Sequence, residues 1–193
     1  MKNSFERGPD GWCSYDYHAS VVAGQNIFIL TAWEPRGGIS DSGYVWANET
    51  RWSADTPEKP LSILPLLLYR SWIGDGPVDL REAEVSVYLR GDELKLDGAE
   101  CFFWVHAAGT RWHFTSNPIE ISHGCWASKP SGLTLKNDES LWHQSWAKDP
   151  DSAPSLDEVL RNAHSYGFSF VGFSSEVSGK LSMDEFALKP SVG

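Results

Sequence analysis

The chain has 193 residues and a net charge of −10, which suits one large β domain and disfavours nucleic acid or an anionic membrane as partner, since both require clustered Lys and Arg. Ten Trp, nine Phe and six Tyr exceed what a core of this size needs, so part of the ring set is expected at the surface. Neutral ligands such as sugars, or a cation such as calcium, remain compatible with the acidic balance.

No apolar run approaches the roughly 20 residues of a membrane span. The segment MKNSFERGPDGW lacks the apolar core of a signal peptide, so the chain as it stands is expected to be cytoplasmic, or extracellular if a leader has been removed. Cys13, Cys101 and Cys125 form an odd set without CxxC spacing, which excludes a closed disulfide framework and disfavours zinc. Cys101 reads as a buried thiol, and a Cys13–Cys125 bridge is left open.

Residues 1–18 read as an entry strand broken by the Gly8-Pro9-Asp10-Gly11 turn, with Asp16 and His18 on one face. Gln25 to Trp33 is an apolar, β-branched run and predicts a strand. Residues 34–62 are loop-rich, with Trp46 and Trp52 either lining a binding loop or plugging the open end of a sandwich. Leu61 to Trp72 predicts a long strand in which Pro65 marks an edge or a bulge.

Residues 79–114 carry the clearest pattern. Ala83, Val85, Val87 and Leu89 alternate with Glu84, Ser86, Tyr88 and Arg90, the period-two signature of a half-buried strand. Glu100–His106 has a plain packing face of Cys101, Phe103 and Val105, and an aromatic face of Phe102, Trp104 and His106. A third run places Arg111 and His113 on one side. If these strands pair with their apolar faces aligned, Tyr88, Arg90, Trp104 and His106 line one surface, and this is the predicted binding floor.

After Phe114, short strands are expected at 118–121, 125–126 and 132–136. A polar insertion at 137–154 holds Trp142, His143 and Trp146. Ser155 and Glu158 have capping-box spacing ahead of a predicted crossover helix near 156–164, with Gly167 as its stop. Strands at 168–173 and 181–188 close the chain. This pattern predicts a single all-β domain, a two-sheet antiparallel β-sandwich with one short helix.

Ser4-Phe5-Glu6-Arg7-Gly8 followed by Gly11-Trp12, the closing Lys180–Leu188 segment, and Val78-Asp79-Leu80 ahead of the strand ending at Arg90 resemble jelly-roll carbohydrate-binding modules of the galactose-binding-like type. The three patches are short and span most of the chain. The resemblance implies a jelly roll, a carbohydrate ligand, and a structural calcium where the first and last strands meet, with Glu6 and Asp184 as its side-chain ligands. A concanavalin-A-like lectin sandwich fits the same pattern. The chain departs from the family in lacking a secretion signal and an attached catalytic domain, and in its long insertions at 34–62 and 137–154.

Two functions follow. In the first, glycan rings stack on Trp104 and Tyr88 beside Arg90 and His106, with Trp46, Trp52, Trp142 or Trp146 as walls. In the second, a small lyase, isomerase or hydrolase acts on a cyclic or sugar-like substrate. It would use His106 or His113 as base, Tyr88 as acid and Arg90 against a developing anion, with Asp16 and His18 as a further pair.

Overall fold

The computed structural model describes residues 1–53, 62–174 and 176–191, and the backbone alone of Tyr17 and His18. The strands in chain order are β1 (Lys2–Asn3), β2 (Cys13–Asp16), β3 (Ile27–Leu30), β4 (Ala32–Glu34), β5 (Tyr44–Asn48), β6 (Ser62–Tyr69), β7 (Ala83–Lys95), β8 (Glu100–Ala107), β9 (Thr110–Phe114), β10 (Ser122–His123), β11 (Ser131–Leu135), β12 (Trp142–Ala147), β13 (Ser165–Val171) and β14 (Ser178–Lys189). Two short helices accompany them, α1 (Tyr17–Ala23) and α2 (Leu156–Arg161).

The strands form an all-β sandwich of two seven-stranded sheets. Sheet A runs β10-β7-β14-β5-β4, with β1 added to β14 and β11 to β7. Sheet B runs β12-β9-β8-β13-β6-β2-β3. All pairings are antiparallel except the short β10–β7 contact. Val85, Val87 and Leu89 of β7 and Leu181 and Met183 of β14 pack against Cys101, Phe103 and Val105 of β8 and Phe168 and Phe170 of β13. Trp12 ties the layers together, with its ring 4.9 Å from Phe186 of sheet A and 6.0 Å from Phe168 of sheet B.

The alternation in β7 behaves as the sequence predicts, its apolar set buried and Ser86, Tyr88 and Arg90 turned outward. Pro65 marks a bulge. Leu66 pairs with Phe168 and Ile63 with Phe170, so Leu64 and Pro65 together oppose Ser169. The phase change leaves both Leu64 and Leu67 on the outer side of sheet B.

Helix α2 begins where expected: Ser155 and Glu158 form the full capping box. It ends at Asn162, and Gly167 lies inside β13 rather than stopping the helix. A Cβ at Gly167 would fall on the Leu66 carbonyl oxygen, so glycine there lets β13 approach β6.

Several expectations are corrected. The entry strand stops at Asp16, whose carboxylate accepts the Ala19 N–H at 2.9 Å and starts α1, so Asp16 and His18 do not share a strand face. The side chain of His18 lies outside the described residues. The run 25–33 is two strands: β3 belongs to sheet B and β4 to sheet A, with Thr31 at the crossing. The strand expected over 61–72 ends at Tyr69 in a 3-10 turn, Arg70–Ile73. The insertion 137–154 contributes β12, the edge of sheet B, and residues 118–121 and 125–126 form no strand. The remainder of the loop expected at 34–62, residues 54–61, lies outside the described residues.

Candidate functional site

Strands β7 and β8 are neighbours in sequence but belong to different sheets, so the floor predicted from them is divided. Tyr88 and Arg90 face outward from sheet A, and Trp104 and His106 face outward from sheet B. Both strands have the expected inner and outer sides, and their inner sides meet in the core. Their polar sides therefore point in opposite directions. The acid–base set of Tyr88, Arg90, His106 and His113 is not assembled.

The outer face of sheet B carries a cavity of about 310 Å³ lined by Tyr15, Asn26, Phe28, Leu64, Leu67, Tyr69, Trp104, His106, Arg111 and Trp146. Strand register explains why these residues meet. Trp146 pairs with Arg111, Arg111 with His106, His106 with Ser165, and Ser165 with Tyr69, one row across five strands. The next row runs His143, His113, Trp104, Gly167, Leu67 and Cys13. At a strand spacing of about 4.8 Å, the first row spans roughly 19 Å.

Trp104 is the floor of the cavity. Its ring is almost fully buried and its Nε1–H donates to the Phe168 carbonyl at 3.2 Å, across the strand that carries Gly167. Trp146 reaches this face through a bulge: β12 pairs Gln144 with Trp112 and Trp146 with Arg111, so Ser145 is the extra residue. The phase therefore reverses between the two tryptophans of the strand. Trp142 packs inward on Phe114 with ring centroids 4.9 Å apart, and Trp146 stands outward 6.1 Å from His106.

The polar groups are held by neighbours. The Arg111 Nε–H donates to Ser145 Oγ at 3.1 Å, and the guanidinium carbon lies 6.0 Å from the Trp104 ring centroid. His106 Nδ1 is 3.3 Å from Ser165 Oγ, and Ser165 also hydrogen-bonds Tyr69. Burial, then the charge of Arg111 and the proximity of His164, push the His106 imidazole down to about 4. His113, beside Trp104 on the neighbouring strand, is held well below its usual range chiefly by burial and sits 2.6 Å from Ser169 Oγ. Burial raises the Tyr69 phenol. At neutral pH both imidazoles and the Tyr69 phenol are thus uncharged. An imidazole with so low a pKa is a weak base, which does not suit the proton-abstraction role expected from the sequence.

Trp104, His106 and Trp146 are brought together, with His113 beside Trp104. The other expected residues lie elsewhere. Trp52 packs in the core edge-on to Phe170, at 5.7 Å, as the plug rather than the wall. Trp142 is also core. Trp46 stands outward from sheet A, donating to Glu34 at 3.3 Å between Arg51 and Lys180. Arg90 lies 4.5 Å over Trp126 and 5.1 Å over Tyr44, and is paired with Asp92 at 3.1 Å. Tyr15, Asn26, Phe28, Tyr69 and Arg111 were not among the expected site residues. Arg111 shares a side of its run with His113, and that is its only signal in the sequence.

Glu6 and Asp184 do not fit the calcium site that the family resemblance implies. Asp184 Oδ2 accepts from the Ile39 N–H at 2.7 Å and the Ser42 hydroxyl at 2.8 Å, and Oδ1 accepts from the Glu185 N–H at 2.7 Å. These donors aim positive dipoles at the carboxylate where a cation would sit, and Glu6 is exposed. Burial raises the Asp184 carboxyl against the opposing pull of those donors. Among the described residues, no group of three or more His, Cys, Asp or Glu is arranged to hold a metal ion. All three cysteines are free, Cys13 and Cys101 buried and Cys125 exposed.

No family model and no curated protein matches the chain. Among solved structures it is similar to the carbohydrate-binding module CtCBM11, at 11% identity and a TM-score of 0.46, covering 100% of this chain and 96% of that one. It is also similar to the K1 cleaved adhesin domain of Lys-gingipain from Porphyromonas gingivalis W83, at 14% identity and a TM-score of 0.42, covering 100% and 98%. Likenesses of this size carry no conclusion about the ligand.

Proposed function

We propose that the protein binds a carbohydrate through the outer face of sheet B, with a sugar ring seated in the cavity over Trp104. The observation that carries this reading is the composition of the cavity wall. Tyr15, Phe28, Tyr69, Trp104 and Trp146 supply rings, and Asn26, His106 and Arg111 supply polar groups at their edges. A pyranose presents apolar C–H faces and a rim of hydroxyls, so it needs flat hydrophobic surfaces bordered by hydrogen-bonding groups. The cavity volume lies at the small end of the range for ligand sites, in keeping with one or two rings.

None of the ten residues lining this cavity is Asp or Glu, so the paired carboxylates of a glycoside hydrolase do not occur there among the described residues. Together with the neutral, weakly basic His106, this favours binding over hydrolysis at this site.

A glycan array carrying mono- to hexasaccharides, read with the folded protein and with Trp104→Phe and Trp146→Ala, tests the proposal. Binding that is weakened in both variants is the expected result. A folded wild-type protein that binds no glycan on the array would overturn it.

A further inference from the structure

The aromatic wall of the cavity does not end at its rim. Phe28 and Tyr69 line the cavity, and both also hold Trp72, which does not. Tyr69 stacks on Trp72 at 5.2 Å with 27° between planes, and Phe28 meets it edge-on at 4.8 Å and 77°. Stacking on Tyr69 occupies one side of the indole, yet Trp72 is 50% exposed, more than Trp33 or Trp146, the other large exposed indoles.

Its position is fixed rather than free. Trp72 sits in the 3-10 turn after β6, which closes with Gly74 at φ 79°. Arg70 braces the turn, its Nε–H donating to the Gly76 carbonyl at 2.6 Å and its guanidinium paired with Asp75 at 3.2 Å. An indole supported from behind, held by a braced turn and open in front is a preorganised stacking surface, with little side-chain entropy left to lose on contact.

We infer that Trp72 is a second stacking position for the sugar ring next to the one in the cavity, so that the ligand is an oligosaccharide of two or more rings rather than a monosaccharide. This rests on the carbohydrate reading above. Trp104 lies on β8, two strand spacings or roughly 10 Å from β6, and Trp72 follows the end of β6, so a single ring over the cavity floor does not also reach Trp72. A chain leaving the cavity past Phe28 and Tyr69 meets Trp72 next. The ring in the cavity provides the anchoring contacts, and Trp72 makes affinity depend on ligand length.

Calorimetric titration with 1,4-linked gluco-, xylo- and manno-oligosaccharides of one to six rings tests this, using wild type, Trp72→Ala and Trp72→Phe, each checked for an unchanged thermal transition. The inference expects affinity to rise with length in the wild type. Trp72→Ala should bind the longer ligands about three- to tenfold more weakly while leaving the shortest bound ligand unaffected, with Trp72→Phe intermediate. Length-independent binding, or a Trp72→Ala protein that matches wild type on every length, would overturn it and leave the carbohydrate reading standing. A uniform loss across all lengths would overturn it too, since Trp72 would then only buttress the cavity. Absence of binding to all of these sugars and to the array would instead remove the carbohydrate reading on which the inference depends.

Discussion

His106 faces Arg111 across the β8–β9 pairing and lies beside His164 and the ring of Trp146. Its surroundings hold no carboxylate among the cavity residues, so burial and positive neighbours act in the same direction and keep it neutral. The unfolded chain takes up a proton near pH 6.5, whereas the folded protein refuses it until about pH 4. The associated stability is therefore complete above pH 6.5 and is lost as the pH falls through that window, by roughly 3 kcal/mol at most. His113 adds to the loss in the same direction. Urea unfolding between pH 7.5 and 4 should show the decline, and His106→Gln should flatten it by close to one proton. A variant with an unchanged slope would assign the decline to other groups. The sequence identifies His106 as a titratable tip on an aromatic face, but its charge state depends on Arg111 and His164, which reach it only through pairing.

At the scale of elements, the one-residue bulge at Ser145 decides whether the cavity has its outer wall. Trp142 and Trp146 are four residues apart, and in a regular strand they would share a face. Deleting Ser145 removes the bulge and leaves Trp146 directly after Gln144, still opposite Arg111 on the outer face, so the deletion should keep most of the glycan affinity that Trp146→Ala loses. Ser145→Ala, which keeps the extra residue, should retain most of the affinity. Because Trp146 is 41% exposed on an edge strand, Trp146→Ala should change unfolding free energy by no more than about 0.5 kcal/mol. Equal binding by Trp146→Ala and wild type would show that Trp146 takes no part. Elements whose signals are local are legible from sequence: the alternation of β7, the capping box of α2 and the Pro65 bulge all appear where residue patterns put them. The Ser145 bulge and the short helix started by Asp16 are not, since a polar strand with one extra residue reads as loop and a seven-residue helix has too little periodicity to register.

For the molecule as a whole, the division of the predicted floor between two outer faces has the largest effect. Period-two alternation specifies which side of a strand is apolar but not which sheet the strand joins, and β7 and β8 satisfy their patterns while turning their backs on one another. The face of sheet A is a self-contained ladder in which Trp126, Arg90 and Tyr44 stack, with the Trp126 Nε1–H anchored on the Gly37 carbonyl at 2.7 Å. Arg90→Ala should accordingly cost about 1–2 kcal/mol of stability and leave glycan affinity unchanged. Combined with Trp146→Ala, the two effects should add, because a full sandwich separates the sites. Chemical denaturation and titration of the single and double variants measure both quantities, and a loss of affinity in Arg90→Ala would mean that the faces communicate.

Thr31 gives that separation a limit. The chain leaves sheet B at Leu30 and enters sheet A at Ala32, and the one residue between them is tied by its amide and its hydroxyl to the Trp12 carbonyl, at 3.2 and 3.1 Å. Such a link has no slack to absorb displacement. A displacement of β3 is therefore passed on to β4, and amide protons in these two edge strands are expected to exchange with solvent together.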